Sequence, residues 1–170
     1  MPTNYIRIAG LNDGEHRQVF EIKDKFFKAY EDSEVKTGEF IVNTLVVLRG
    51  LDRKVTINIE GKITNLLCDY CTKGLEWEIS TTLNFVIKES EKEMESTDEI
   101  IYVLPNQHQV DIDHLIFEMI NLSIPNKRTH NKSERKDGSC DKEMLQLIEE
   151  YAIKTNDKID PRWTVLNKLK

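Results

Sequence analysis

Apolar and polar residues alternate from Asn4 to Ile8 and again from Glu15 to Ile22, with the turn formers of Gly10 to Gly14 between them. Period two on both sides of a Gly- and Asn-rich connection predicts an opening β-hairpin. Asp24 stands where it can cap a short helix carrying Phe26, Phe27 and Tyr30, whose apolar side would cover a sheet. Phe40 to Leu48 is rich in β-branched residues, and Val55, Ile57, Ile59 and Ile63 alternate with polar neighbours after a turn at Gly50 to Lys54. These predict two long antiparallel strands. Leu75, Trp77, Ile79, Thr81, Leu83, Phe85 and Ile87 keep the two-residue period without interruption, which predicts a third long strand with one buried face.

The pattern changes after residue 88. Residues 88–99 carry six acids against two lysines, with Met94 as the one apolar residue, and read as a mobile acidic loop. Ile100 to Leu104 predicts a short strand, closed by Pro105 and Asn106. Asp111 can cap the helix that follows, in which Ile112, Leu115, Ile116, Met119 and Ile120 recur at helical spacing until Pro125. Residues 126–139 contain no apolar side chain and read as an exposed basic loop. Met144, Leu147, Ile148 and Tyr151 predict a further helix, and Asp160 with Pro161 reads as the start of a last one carrying Trp163, Leu166 and Leu169. Strands followed by helices, with no internal repeat, indicate an α+β domain. Its mainly antiparallel sheet is compatible with a barrel and is packed by a central amphipathic helix and two C-terminal helices.

Composition narrows the function classes. At 170 residues, 39% apolar and 32% charged, the chain suits one folded domain, and its longest apolar run is far below the roughly 20 residues of a membrane helix. The first twenty residues lack the charged start and apolar stretch of a secretory leader, so a cytoplasmic protein with reduced thiols is expected. The net charge of −6 excludes a generic nucleic-acid coat, so any RNA contact must be local. The one concentrated positive segment is Lys127, Arg128, Lys132, Arg135 and Lys136. Solvation of a loop is the bland alternative for these five.

Cys68 and Cys71, in C-D-Y-C, can aim two thiolates at one metal ion. The remaining cysteine, Cys140, follows His130 by ten residues, so the four together make a candidate Cys3His site for one structural zinc ion. Ordinary packing of reduced cysteines is the competing reading, and a redox pair a weaker one, because a strand rather than a helix follows Gly74. His114 and Glu118 stand four apart on the polar side of the central helix and read as a solvated face, as do His16 and His108 in polar surroundings. No dinucleotide, phosphate-loop, nucleophile-elbow or H-E-x-x-H motif occurs.

Four segments taken in order resemble the YceD-like family, the large ribosomal RNA subunit accumulation proteins, in a Bacteroidetes-type form. They are Y-I-R-I-A-G-L-N-D-G-E-H with D-K-F-F, L-C-D-Y-C-T-K-G-L, the helix V-D-I-D-H-L-I-F-E-M-I-N-L-S-I-P, and D-P-R-W-T-V-L-N-K-L-K. The resemblance covers nearly the whole chain and implies one domain over residues 1–170. Relatives often carry C-x-R-C-L at the first cysteine pair, where Tyr70 stands here, and a denser cysteine cluster after the L-S-x-P helix end, where His130 and Cys140 stand here. The resemblance implies a non-enzymatic ribosome assembly factor. Its partners would be large-subunit rRNA, a pre-ribosomal particle or a basic ribosomal protein, and no membrane. A zinc- or thiol-dependent RNA-processing enzyme and a zinc module that binds only protein are the alternatives.

Overall fold

The computed structural model describes residues 4–130 and 140–152. Within them the three long alternating segments become β3 (Gly38–Arg49), β4 (Asp52–Leu67) and β5 (Gly74–Glu89), an antiparallel meander. β2 (Gly14–Ile22) extends it on one side, antiparallel to β3, and β6 (Ile100–Val103) on the other, parallel to β5. The order is β2-β3-β4-β5-β6. Residues Gly50 and Leu51 make the tight turn between β3 and β4, with Gly50 at φ +60°. A left-handed backbone there suits glycine because it has no Cβ to clash.

One face of the sheet buries Phe40, Val42, Val46, Val55, Ile57, Ile59, Ile63, Phe85 and Ile87. Two helices cover it: α1 (Asp24–Phe27), which buries Phe26 and Phe27, and α2 (Asp113–Leu122), which buries Ile116 and Ile120. Tyr30, just past α1, stacks on Phe117 of α2 with centroids 3.7 Å apart. The period-two stripes of the long strands and the helical stripe of α2 therefore face one core, whereas the stripe of Leu147, Ile148 and Tyr151 stays exposed. Because Ile116 is fully buried, Ile116→Val is expected to cost about 1 kcal/mol, through one lost methyl and the space it leaves. Urea denaturation should show a lower midpoint at unchanged slope.

Several expectations are corrected. The opening hairpin does not form: β1 (Tyr5–Arg7) pairs with β7 (Gln109–Asp111) in a separate two-stranded sheet, whereas β2 pairs with β3. Alternation marks a strand but not its partner, and β2 gains nine paired residues on β3 while three-residue β1 is tied beside α2. That tie includes Asn4, whose backbone N–H and side-chain amide donate to Asp113 Oδ1 at 3.0 and 2.6 Å. The sheet is not closed into a barrel, since β2 and β6 are opposite edges and never pair. The stripe of α2 packs against its buried face instead. Asp24 does not cap α1 but accepts from the Gly38 N–H at 3.0 Å, locking the helix to the start of β3. Asp111 behaves nearly as expected, its carboxylate accepting from the Asp113 N–H at 2.9 Å.

The acidic stretch begins inside β5, where Glu89 pairs with Arg53 at 2.6 Å. Its exposed remainder is anchored by bonds from Thr97 N–H to the Ile100 carbonyl and from Ser90 N–H to the Val103 carbonyl. The first of the two C-terminal helices is α3 (Lys142–Tyr151). The second, with Trp163, Leu166 and Leu169, lies outside the described residues. Among the described residues no helix is long and apolar enough to cross a membrane.

Candidate metal centre

The connection from β4 to β5 is a tight turn, and its backbone aims two thiols the same way. Cys68 N–H donates to the Lys73 carbonyl at 3.0 Å and Thr72 N–H to the Cys68 carbonyl at 2.9 Å, with Thr72 at φ +56°. The segment after α2 is laid against this turn. Asp69 N–H donates to the Arg128 carbonyl at 2.8 Å, and the Arg128 guanidinium pairs with Glu34 and, at 3.7 Å, with Asp69. His130 is thereby delivered to the cysteines. Its Nε2 lies 3.2 Å from the Gly74 carbonyl, and donating a proton there leaves the Nδ1 lone pair facing the thiols. The fourth member comes from the far side of residues 131–139: Cys140 precedes Asp141, which caps α3 by accepting from the Glu143 N–H at 2.9 Å.

Cys68, Cys71, His130 and Cys140 are all buried, and their ligand atoms all lie within 4.8 Å of one another. Cys68 Sγ and Cys140 Sγ are 3.6 Å apart, and His130 Nδ1 is 3.4 Å from Cys71 Sγ and 3.7 Å from Cys140 Sγ. An ion held tetrahedrally by sulfur at about 2.3 Å and nitrogen at about 2.0 Å separates two sulfurs by about 3.8 Å and sulfur from nitrogen by about 3.5 Å. The four residues thus form a cluster that could hold a metal ion. Burial pushes the Cys68 thiol up, but the N–H groups of Cys71, Tyr70 and His130, together with the Cys140 thiol, outweigh it and bring Cys68 down to about 6. Burial, and then the Cys68 sulfur beside it, push Cys140 up. The two sulfurs differ in how readily they ionise, and a cation held between them would favour the thiolate form of both.

The five basic candidates divide. Lys127 lies over the Tyr70 ring, 4.8 Å from its centroid, with its ammonium exposed. Arg128 is only one-fifth exposed and is engaged by two carboxylates, so it braces the turn. Lys132, Arg135 and Lys136 lie outside the described residues. The expected exposed loop is, over its described start, a packed strap in which Thr129 and His130 are buried. His114 and Glu118 do form a solvated pair at 3.1 Å, and the His16 and His108 side chains stay outside the cluster. Sequence reasoning missed Lys73, whose ammonium meets Asp141 at 2.6 Å, and the Arg128, Asp69 and Glu34 brace. No short-range signal links residues so far apart. A separate groove of about 930 Å³ lies on the outer face of β2 to β5, lined by Glu21, Glu39, Glu60 and Glu78 among others, away from the cysteines.

The family model for the large ribosomal RNA subunit accumulation protein YceD matches residues 55–170. The chain belongs to the YceD family. The match begins at the first buried residue of β4 and spans the four positions of the cluster. Neither the curated proteins nor the solved structures include a match to this chain.

Proposed function

We propose that the protein is a non-enzymatic ribosome assembly factor that supports the accumulation of large-subunit rRNA in the cytoplasm, with one structural zinc ion held by Cys68, Cys71, His130 and Cys140. The observation that carries this reading is membership of a family described by that role, over a match that spans most of the chain. Zinc is favoured because three cysteine sulfurs and an imidazole within 4.8 Å of one another are the soft, four-coordinate donor set it prefers. All four positions would be filled by buried side chains, leaving none for a substrate, which argues for a structural ion over a catalytic one.

In this reading Lys127, Lys132, Arg135 and Lys136 contact phosphates of rRNA or a pre-ribosomal particle, while Arg128 keeps the strap seated. The test is depletion followed by sucrose-gradient profiling. Loss of the protein should lower large subunits relative to small ones, and wild-type protein should restore them. A variant with Lys127, Lys132, Arg135 and Lys136 all changed to Glu should remain folded yet fail to restore them. Its RNA affinity should also have lost the salt dependence of about 0.7 to 0.9 logarithmic units per phosphate contact. Equal deficits of both subunits would overturn the assembly role. Full rescue by the variant would shift the contact to a basic ribosomal protein meeting the acidic stretch after β5.

A further inference from the structure

We infer that the metal acts as a clasp for α3: three of its ligands form a half-site organised without α3, and Cys140 brings the helix in only when the ion is bound. This rests on the zinc reading above and goes beyond it, by making the position of a helix depend on the metal.

The two halves differ in what holds them. Cys68 and Cys71 sit on a turn closed by its own backbone bonds, and His130 is placed by the strap on Asp69 and by the Gly74 carbonyl. None of these bonds involves a residue beyond 130. The half-site adjoins the sheet, whose core is a separate apolar cluster. By contrast, α3 is ten residues long and buries none of them, with Leu147 47% and Tyr151 78% exposed. A helix that short is marginal in water unless docking supports it. Among the described residues its attachments are concentrated at its N-terminal end. Cys140 is buried among the other cysteines, Met144 packs on the same sulfurs, and Asp141 pairs with Lys73. The ion pair is accessible to solvent and contributes little alone, although Lys73 holds the Asp141 carboxyl below the usual carboxylate range. Removing the ion takes away the bond that gathers these contacts. The thiol of Cys140 then has only a weak contact to its neighbours, and the N-cap of α3 loses its fixed position.

The test is hydrogen–deuterium exchange of the full chain, as purified and after chelation, with zinc content measured on the same samples. On chelation the amides of residues 142–151 are expected to lose protection while β3, β4 and β5 keep theirs. Cys140→Ser should retain zinc on three ligands, more weakly, and show the same loss in α3 with the metal present. Cys68→Ser should lose both zinc and α3 protection. If the protein binds zinc and α3 is equally protected with and without it, or if Cys140→Ser leaves α3 protected, the clasp is overturned and the zinc reading stands. If the chain takes up no zinc, the zinc reading fails and the clasp with it.

Discussion

Gly61→Ala is expected to cost about 4 kcal/mol or more, a loss large enough to leave much of the protein unfolded. A methyl at this position in β4 would lie 2.1 Å from the Glu39 carbonyl oxygen and 2.6 Å from the Phe40 Cα. Both atoms are backbone of the neighbouring strand, so no side-chain rotation relieves the contact. The β3–β4 pairing at Phe40 and Gly61 would have to open, in the middle of the sheet that carries the core. Gly50→Ala provides the contrast. Nothing lies within 4 Å of its added methyl, and only its φ of +60° opposes the substitution, which implies a cost of about 1 kcal/mol. Chemical denaturation of the two variants should separate steric exclusion from conformational preference. A Gly61→Ala protein within 1 kcal/mol of wild type, on the scale of about 1 kcal/mol for ordinary substitutions, would mean the strands can part at this point without loss.

Zinc should raise the unfolding temperature by about 10 °C. An ion that binds only the folded state stabilises it by about 4 kcal/mol when free ion exceeds the dissociation constant a thousandfold. For a chain of this size each kcal/mol moves the midpoint by about 2 to 4 °C. Calorimetry with added zinc and with chelator measures the difference, and Cys68→Ser should abolish it. The sheet should stay folded without metal, because its core does not include the cysteines, but with a smaller margin. Equal midpoints in zinc and chelator would make the buried cysteines simple packing residues. Loss of the whole fold on chelation would mean that the β4–β5 turn nucleates the sheet.

These two expectations draw on different parts of the chain's information. The long strands and α2 were legible because burial on one face imposes a period of two or of 3.6, and that period is written locally; α3 shows the helical spacing although it buries none of its residues. The Cys3His set was legible as candidate chemistry, since C-D-Y-C with one further cysteine and His130 offers four donors that zinc can take, beside the plainer reading of packed thiols. Its assembly was not. Cys71 and His130 are separated by 59 residues, and Cys68 and Cys140 by 72, so their meeting depends on the β4–β5 turn, the strap and the start of α3 packing together. The same holds for Arg128, which the sequence presents as one more cation in a basic run. Tertiary contact with Glu34 and Asp69 makes it a brace.

What the sequence determined by itself was the identity of the long strands and of α2 and α3, the sidedness of the core and the likeness to the family, together with a candidate donor set for a metal. Only the tertiary structure decided which strands pair, as when β1 leaves β2 for β7, and that the sheet stays open with α2 on its buried face. It also decided that Arg128 is spent on the fold. The physical reason is the range of each interaction. Side-chain periodicity and turn chemistry act over a few residues, whereas strand pairing, ion pairing and coordination depend on which distant surfaces have already been brought within a few ångströms.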